Sequence, residues 1–532
     1  MGVFIGRARE LNVLEGHLDR VRQGSERPGR ALLVRGRRRV GKSRLLEEFI
    51  ARSGVPAVFF TASKQGSERE LALFTVAVAE SSLPGASTFE DVTPATWEAA
   101  LRLLAVAMPN DGPCIVVVDE LPYLTSGDPT IEGTLQKAFD TVLSHRRVLL
   151  IGVGSDLSMM EALNAYGRPF HQRASEMVVL ALSPSETAAM LDLGAADALD
   201  AYLITGGLPM VADEWPNGMP MWDYLAGAVA DPTSALVVSG ERMLASEFPP
   251  ATQARDVLTA IGSGERTFTA ISTAAGLKAT SLERALRTLV DKRVVVRATP
   301  LSTVSSRESR YSVADPYLRF WLSFIGPGLP EIERGAAARV LARLQSSWLS
   351  WRGHAIEPVL REGIERMGAA GPAGPTGVVG GYWTRNNDPE IDLVLADRSP
   401  VAKTVTAVGS IKWLESAPFD THDLGRLIVH RSQLPGATAS TPLVAVARSG
   451  FAVDDVIRVT PEDVISAWGA CGRPLQNSGL DDRVESRGGE SHLGRHLIAD
   501  RGHNAPLRQP DHRMVLMRRL GAPTPAACPG ER

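Results

Sequence analysis

An α/β fold built on a buried parallel sheet is predicted by three stretches of this sequence. Ala31-Leu32-Leu33-Val34 is an apolar run that leads into Gly36, and Leu45, Leu46 and Phe49 resume at helical spacing after Ser43. Ile115 to Val118 and Val148 to Val153 are two further continuous apolar runs, each closing on polar residues: Asp119-Glu120 and Ser155-Asp156. Runs that are apolar at every position suit strands buried on both faces, and such strands separated by helical stretches make a parallel sheet.

Each stretch also carries chemistry. Gly36-Arg37-Arg38-Arg39-Val40-Gly41-Lys42-Ser43, followed by Arg44, fits GxxxxGKS between a strand and a helix. In that context the glycines let backbone N–H groups wrap phosphate oxygens. Lysine reaches the terminal phosphates, serine takes Mg²⁺, and the helix turns its positive end toward the anion. The chain has only seven lysines, and one stands where the motif requires it. This Walker A loop predicts an ATP site spanning Gly36 to Arg44. The Asp119-Glu120 end of the second run is then a Walker B pattern. Asp119 enters the Mg²⁺ shell with Ser43, and Glu120 orients and deprotonates the attacking water. The third run ends where a γ-phosphate sensor would lie, with Ser155 or Asp156 as the sensor; a plain strand-to-turn exit explains the same residues.

Composition bounds the rest. A chain of 532 residues implies several domains, and 44% hydrophobic with 22% charged residues is ordinary globular material. A net charge of −3 leaves no global basic signature, so any nucleic-acid contact must be a local patch. Cys114, Cys471 and Cys528 form no CxxC pair, which argues against a disulfide framework or a zinc site. No apolar run reaches membrane-span length and Met1-Gly2-Val3-Phe4-Ile5 runs directly into charged residues, so the cytoplasm is expected.

Ahead of the Walker loop, Phe4-Ile5-Gly6-Arg7 and Glu10-Leu11 precede a helix marked by Leu11, Leu14 and Leu18. This resembles the F-x-G-R-x-x-E-L opening of AAA+ and STAND-type ATPases, a resemblance that places Arg7 near the adenine. Farther on come Gly154-Ser155 and Ser158-Met159-Met160, then Tyr166-Gly167-Arg168, then the turn Thr205-Gly206-Gly207-Leu208-Pro209. The series is similar to the archaeal-type AAA+ ATPase family, related to STAND proteins, over about residues 1–215. The resemblance implies a P-loop NTPase core with a small helical lid, and it makes Ser155 the better sensor because Asp156 departs from the usual small hydroxyl residue. Arg168 and Arg173 are the candidate arginine fingers or sensors, each with a structural alternative.

A helix over 251–261, a second from Phe268 to Gly276 and a third carrying Leu282, Ala285, Leu286 and Leu289 lead into two short strand patterns, Arg293–Arg297 and Tyr311–Val313. This is the winged helix-turn-helix outline. Lys278, Ser281, Arg284 and Arg287, with Arg307 and Arg310 on the wing, could face double-stranded DNA; a protein-binding winged helix is the alternative, with the partner unspecified. Asp315-Pro316-Tyr317-Leu318-Arg319-Phe320-Trp321 resembles the segment that joins ATPase and C-terminal domains in the same family.

Beyond it, a helix from Trp348 to Met367 holds Glu357, a strand holds Asp392, and another ends in Ser410-Ile411-Lys412. The outline resembles a PD-(D/E)XK nuclease-like domain, which would use Asp392 and a second carboxylate for Mg²⁺ and Lys412 to polarise water. The position two before the lysine should be glutamate and is Ser410, so a metal ligand is missing; Glu357 or Glu390 would have to compensate. The expected architecture is therefore an AAA+-like α/β core (1–177), a helical lid (178–250), a winged helix-turn-helix (251–325), a nuclease-like α/β domain (326–476) and a disordered tail (477–532). His492 and His496 in the tail are spaced for a helical metal pair but lack a third ligand. The function expected is an ATP-driven switch; an ATP-gated nuclease and a non-enzymatic DNA-bound regulator are the alternatives.

Overall fold

The apolar run at Ala31 becomes strand β1 (Arg30–Arg35), whose residues Ala31 to Val34 are buried, as an interior strand of a covered sheet requires. The computed structural model describes residues 4–155, 157–163, 165, 168, 173–248, 252–374 and 377–469. Asp156, Tyr166, Gly167, Cys471, Cys528 and the tail with His492 and His496 lie outside them.

Strands β2 (Ala57–Thr61), β3 (Cys114–Asp119), β4 (Val148–Gly154) and β5 (Ala174–Val178) join β1 in one parallel sheet ordered β2-β3-β4-β1-β5. Every residue of β3 and β4 is buried, as strands covered on both faces must be. Alternate side chains serve two cores. Leu32, Val34, Val117 and Ile151 meet the helices Ala8–Gln23 and Lys42–Ser53 through Leu14, Leu18, Leu45 and Phe49. Leu33, Val116, Val118 and Leu150 meet Phe74, Trp97, Leu101 and Leu135 on the other face. The result is a parallel α/β sheet covered by helices on both faces. It aligns the ends of β1, β3 and β4, so Gly36, Glu120 and Ser155 open on one edge.

Five helices follow as a lid: Pro184–Leu191, Ala195–Thr205, Pro209–Asp213, Met221–Ala230 and Ala235–Glu247. The helices Gln253–Gly262, Phe268–Ala275 and Ala279–Asp291 precede an antiparallel pair, β6 (Val295–Ala298) and β7 (Arg310–Val313), in winged-helix order. Gly276, left-handed at φ 64°, ends the second helix as its position in the sequence requires. Leu282, Ala285, Leu286 and Leu289 are buried, which leaves the opposite face of the third helix in solvent.

The C-terminal helix is longer than its apolar pattern from Trp348 suggests: it runs Ala337–Arg366, anchored early by Val340 and Leu344 in the winged-helix core. Beside it lies a mixed sheet ordered β12-β11-β10-β9-β8, formed by β8 (Val378–Trp383), β9 (Glu390–Ala396), β10 (Val405–Lys412), β11 (Leu443–Ala447) and β12 (Ile457–Val459). β8, β9 and β10 are antiparallel, and β10, β11 and β12 parallel. Leu199 and Leu203 of the lid are buried in the same cluster as Ile356, Leu360 and Val446, so the lid shares a core with this domain. Among the described residues no helix is long and apolar enough to cross a membrane.

Candidate nucleotide site

The loop after β1 is shaped by two glycines that no other residue replaces. A Cβ on Gly36 would lie 2.2 Å from the Val179 carbonyl oxygen, and Gly41 sits at φ +87° where the helix Lys42–Ser53 begins. Lys42 is buried and donates to the carbonyls of Gly36 at 2.8 Å and Arg37 at 3.0 Å. Burial lowers its pKa; the Glu120 and Asp119 carboxylates oppose that shift. The Ser43 hydroxyl donates to Asp119 Oδ2 at 2.6 Å, so the loop and the end of β3 meet directly. Asp119 also accepts the Glu120 N–H, and Glu120 in turn accepts the Ser155 hydroxyl at 2.9 Å and 3.0 Å.

Seven non-glycine residues among those described have positive φ, and three of them belong here: Arg7 (60°), Arg39 (69°) and Glu120 (51°). Such conformations cost about 1–3 kcal/mol each and persist where their surroundings enforce them. Three of the seven thus gather around this one loop.

The arginines of the loop divide their tasks. Arg38 is exposed and donates to the Tyr123 hydroxyl at 2.6 Å and to Ser155 at 3.3 Å, across the mouth of the site. Arg39 donates no side-chain hydrogen bond among the described residues, and its buried Nη1 lacks a partner. Arg44 pairs with Glu47 on the surface of its own helix. Arg37 points away from the loop: it donates to the Arg293 carbonyl at 2.7 Å and stands 3.5 Å from the Asp315 carboxylate, at the winged helix and the segment that follows it. The Val40 carbonyl accepts the Arg7 guanidinium at 2.7 Å, while the Arg7 backbone N–H donates to Glu186 on the first lid helix. Arg7 thus clamps loop to lid, with its guanidinium only 4% exposed. The turn at Gly206 and Gly207, both left-handed, brings Pro209 to 3.6 Å from the position of a Gly41 Cβ.

Arg168 and Arg173 are both paired with acids of one helix. Arg168 forms a two-pronged ion pair with Glu132, whose carboxyl burial pushes up, and Arg173 pairs with Asp140 at 3.0 Å; both acids lie on the helix Thr130–Thr141.

In the C-terminal domain, β9 and β10 bring Asp392, Ser410 and Lys412 together at a cavity of about 270 Å³. Asp392 Oδ2 accepts the Ser410 hydroxyl at 3.0 Å and the Ile411 N–H at 2.9 Å. Lys412 is held by Asp423 at 2.9 Å and 3.0 Å. Glu357 pairs with Arg361 at 2.8 Å; burial pushes its carboxyl up, Arg361 opposes this and Asp392 adds to it. Glu390 does not reach this cluster but pairs with Arg310 at 2.6 Å. That pairing corrects the expectation for Arg310: the wing arginine faces the C-terminal domain, stacked 4.5 Å from the Trp383 ring, and is not presented to solvent. Lys278, Arg284, Arg287 and Arg307 are exposed as expected, and Ser281 is half-buried. Among the described residues no group of three or more His, Cys, Asp or Glu stands where it could hold a metal ion.

Residues that composition and motif did not single out join the two halves. Arg352, 1% exposed, donates to Asp200 of the lid at 2.9 Å, to Glu415 at 2.5 Å and to the Trp413 carbonyl at 3.0 Å. Trp413 Nε1 donates to Asp200 Oδ1 at 2.8 Å, and Arg448 reaches the same carboxylate at 3.2 Å. Burial raises the Asp200 pKa, with Arg352 acting against it. Only the juxtaposition of Ala195–Thr205 with β10, 200 residues away in sequence, reveals this lock.

Residues 321–423 match a family described as archaea bacterial proteins of unknown function, a span that holds Arg352, Glu357, Asp392, Ser410, Lys412 and Asp423. An uncharacterised protein of Methanocaldococcus jannaschii, MJECL04, is 24% identical over 442 residues, covering 82% of this chain and 93% of the relative. Among solved structures, the Walker-type ATPase PABY2304 of Pyrococcus abyssi has a TM-score of 0.41 at 20% identity, covering 60% of this chain and 96% of its own. The Aeropyrum pernix ORC2 protein in its ADPNP-ADP complexes has a TM-score of 0.39 at 14% identity, covering 62% and 96% respectively.

Proposed function

We propose that this chain is an ATPase of AAA+ type that works as a nucleotide-driven switch. The observation that carries this reading is the Ser43–Asp119 hydrogen bond of 2.6 Å, with Lys42 on one side and the Glu120–Ser155 pair on the other. Lys42 binds the terminal phosphates, Glu120 takes the proton of the attacking water, and Ser155 reports the γ-phosphate to it. The Ser43 hydroxyl and Asp119 carboxylate are hard oxygen donors that fit Mg²⁺, which when bound neutralises phosphate charge. Arg38 lies across the mouth of the site, placed to meet the phosphates. Arg168 is tied to Glu132, and we give it no role toward the nucleotide.

The output of the switch is the winged helix. Arg37 belongs to the phosphate loop yet holds the Arg293 carbonyl, so a phosphate that reshapes the loop pulls on the start of the wing. Lys278, Arg284 and Arg287 offer an exposed basic face for double-stranded DNA, and binding through so few phosphate contacts would be weak and salt-dependent. The C-terminal domain, with Asp392 satisfied by Ser410 and Lys412 neutralised by Asp423, acts as a structural relay and not as a nuclease. The test is ATP turnover with Mg²⁺, with and without duplex DNA at low salt, alongside plasmid nicking with Mg²⁺ or Mn²⁺ and an Asp392→Ala control. Turnover without nicking is expected. No nucleotide binding, or nicking that Asp392→Ala removes, would overturn the reading.

A further inference from the structure

A cavity of about 620 Å³ belongs neither to the nucleotide site nor to the cleft at Asp392. It opens between the winged helix and the long helix Ala337–Arg366, and Arg266, Arg310, Arg319 and Arg361 all line it. Its only lining carboxylate is Glu357; Glu390 stands behind Arg310. Four guanidinium groups therefore face two acids, and burial pushes the Glu357 carboxyl up toward its neutral form.

The arginines are unevenly paired with carboxylates. Arg310 and Arg361 each spend part of their donors on Glu390 and Glu357. Arg319 has only the carbonyls of Val313 and Ala355, and burial followed by the Arg266 charge pushes its pKa down to about 10. Arg266 donates no side-chain hydrogen bond to any described residue, although burial lowers its pKa too. Partly buried like charges without an anion are costly, while planar guanidinium groups converging on one space match phosphate oxygens well. The volume lies in the usual range for small-molecule sites, about 300–1,000 Å³, and Ser346, Ser350 and His354 add polar groups to the wall.

We propose that this cavity is a second ligand site, one that recognises the phosphate group of a small phosphorylated molecule, with Arg266 as its principal free donor. It is separate from the P-loop and does not depend on nucleotide hydrolysis there. Because its wall comes from both the winged helix and the C-terminal helix, a bound ligand would bridge them.

The experiment uses full-length Lys42→Ala protein, so that the P-loop does not obscure the result. AMP, GMP, inorganic phosphate and pyrophosphate are titrated by calorimetry. Binding of at least one probe is expected, weakened about tenfold or more by Arg266→Gln, the loss of one charge-assisted contact, and unchanged by Arg102→Ala on the surface of the α/β core. Tighter binding of AMP or GMP than of phosphate assigns a mononucleotide; equal or tighter phosphate or pyrophosphate assigns a simpler ester. Hydrogen exchange on the Lys42→Ala protein itself gives a readout that needs no further variant: the saturating probe should protect residues 262–266 and 346–354 together. No binding by any of the four probes, or binding that Arg266→Gln leaves intact with no protection of those segments, overturns the proposal.

Discussion

The molecule contains two places where a serine, a lysine and carboxylates converge at the ends of buried strands, and they are wired differently. At the P-loop, Ser43 bonds to Asp119 but Lys42 is held only by carbonyls of its own loop, and Glu120 is held by a single hydroxyl. None of those contacts is an ion pair, and a triphosphate can take the place of the Lys42 carbonyls. At the cleft between β9 and β10, Asp392 accepts two hydrogen bonds and Lys412 is locked in an ion pair with Asp423. A ligand there would first have to break the Lys412–Asp423 ion pair. Similar residue types make a poised site in one place and a closed one in the other; the partners decide.

The comparison can be broken most sharply by Glu120→Gln against Asp392→Asn. We expect the first to lower ATP turnover about 10²–10⁴-fold with binding retained, as for loss of a general base, and the second to leave turnover unchanged. Steady-state phosphate release checks both. The next largest effect concerns the lock between lid and C-terminal domain. Arg352→Ala leaves the buried Asp200 carboxylate to Trp413 and Arg448 alone and should cost about 1.5–3 kcal/mol, whereas Arg287→Ala removes an exposed pair worth about 0.5 kcal/mol or less. Urea titration distinguishes them. Arg37→Ala should keep ATP affinity but lose about 1.5–3 kcal/mol of coupling, seen as loss of nucleotide-induced hydrogen-exchange changes over 293–315. The smallest effect sharpens the contrast from the other side: Ser410→Glu supplies the absent carboxylate and should create a weak Mn²⁺ site, measurable by paramagnetic resonance without nucleotide, that the wild-type cleft lacks.

The convergence of the loop with Asp119, Glu120 and Ser155 was legible because most of its signals are local. GxxxxGKS places glycines, Lys42 and Ser43 within one turn, and the apolar runs before Asp119 and Ser155 made the strands that bring Glu120 and Ser155 alongside. The buried faces of the winged helix were legible for the same reason, since Leu282, Ala285, Leu286 and Leu289 repeat at helical spacing. What was not legible was long-range. Arg310 reads as a wing residue for DNA until its pairing with Glu390, 80 positions later, is seen. Arg37 reads as one more phosphate ligand until the winged helix is placed beside it. Asp200, Arg352, Trp413 and Arg448 have no shared motif at all; only the packing of the lid against β10 makes them a network. The early start of the long helix at Ala337 was hidden because its first turns pack against a different core from its last.

The central claim is that a triphosphate is gripped between Gly36–Ser43 and the Asp119-Glu120 end of β3. Equilibrium binding of ATP with Mg²⁺ to wild-type and Lys42→Ala protein tests it most directly. Saturable binding to the wild type is expected, falling by about two orders of magnitude or more in the variant, the size of a lost buried charge contact to phosphate. Equal affinity of the two proteins for ATP would contradict it.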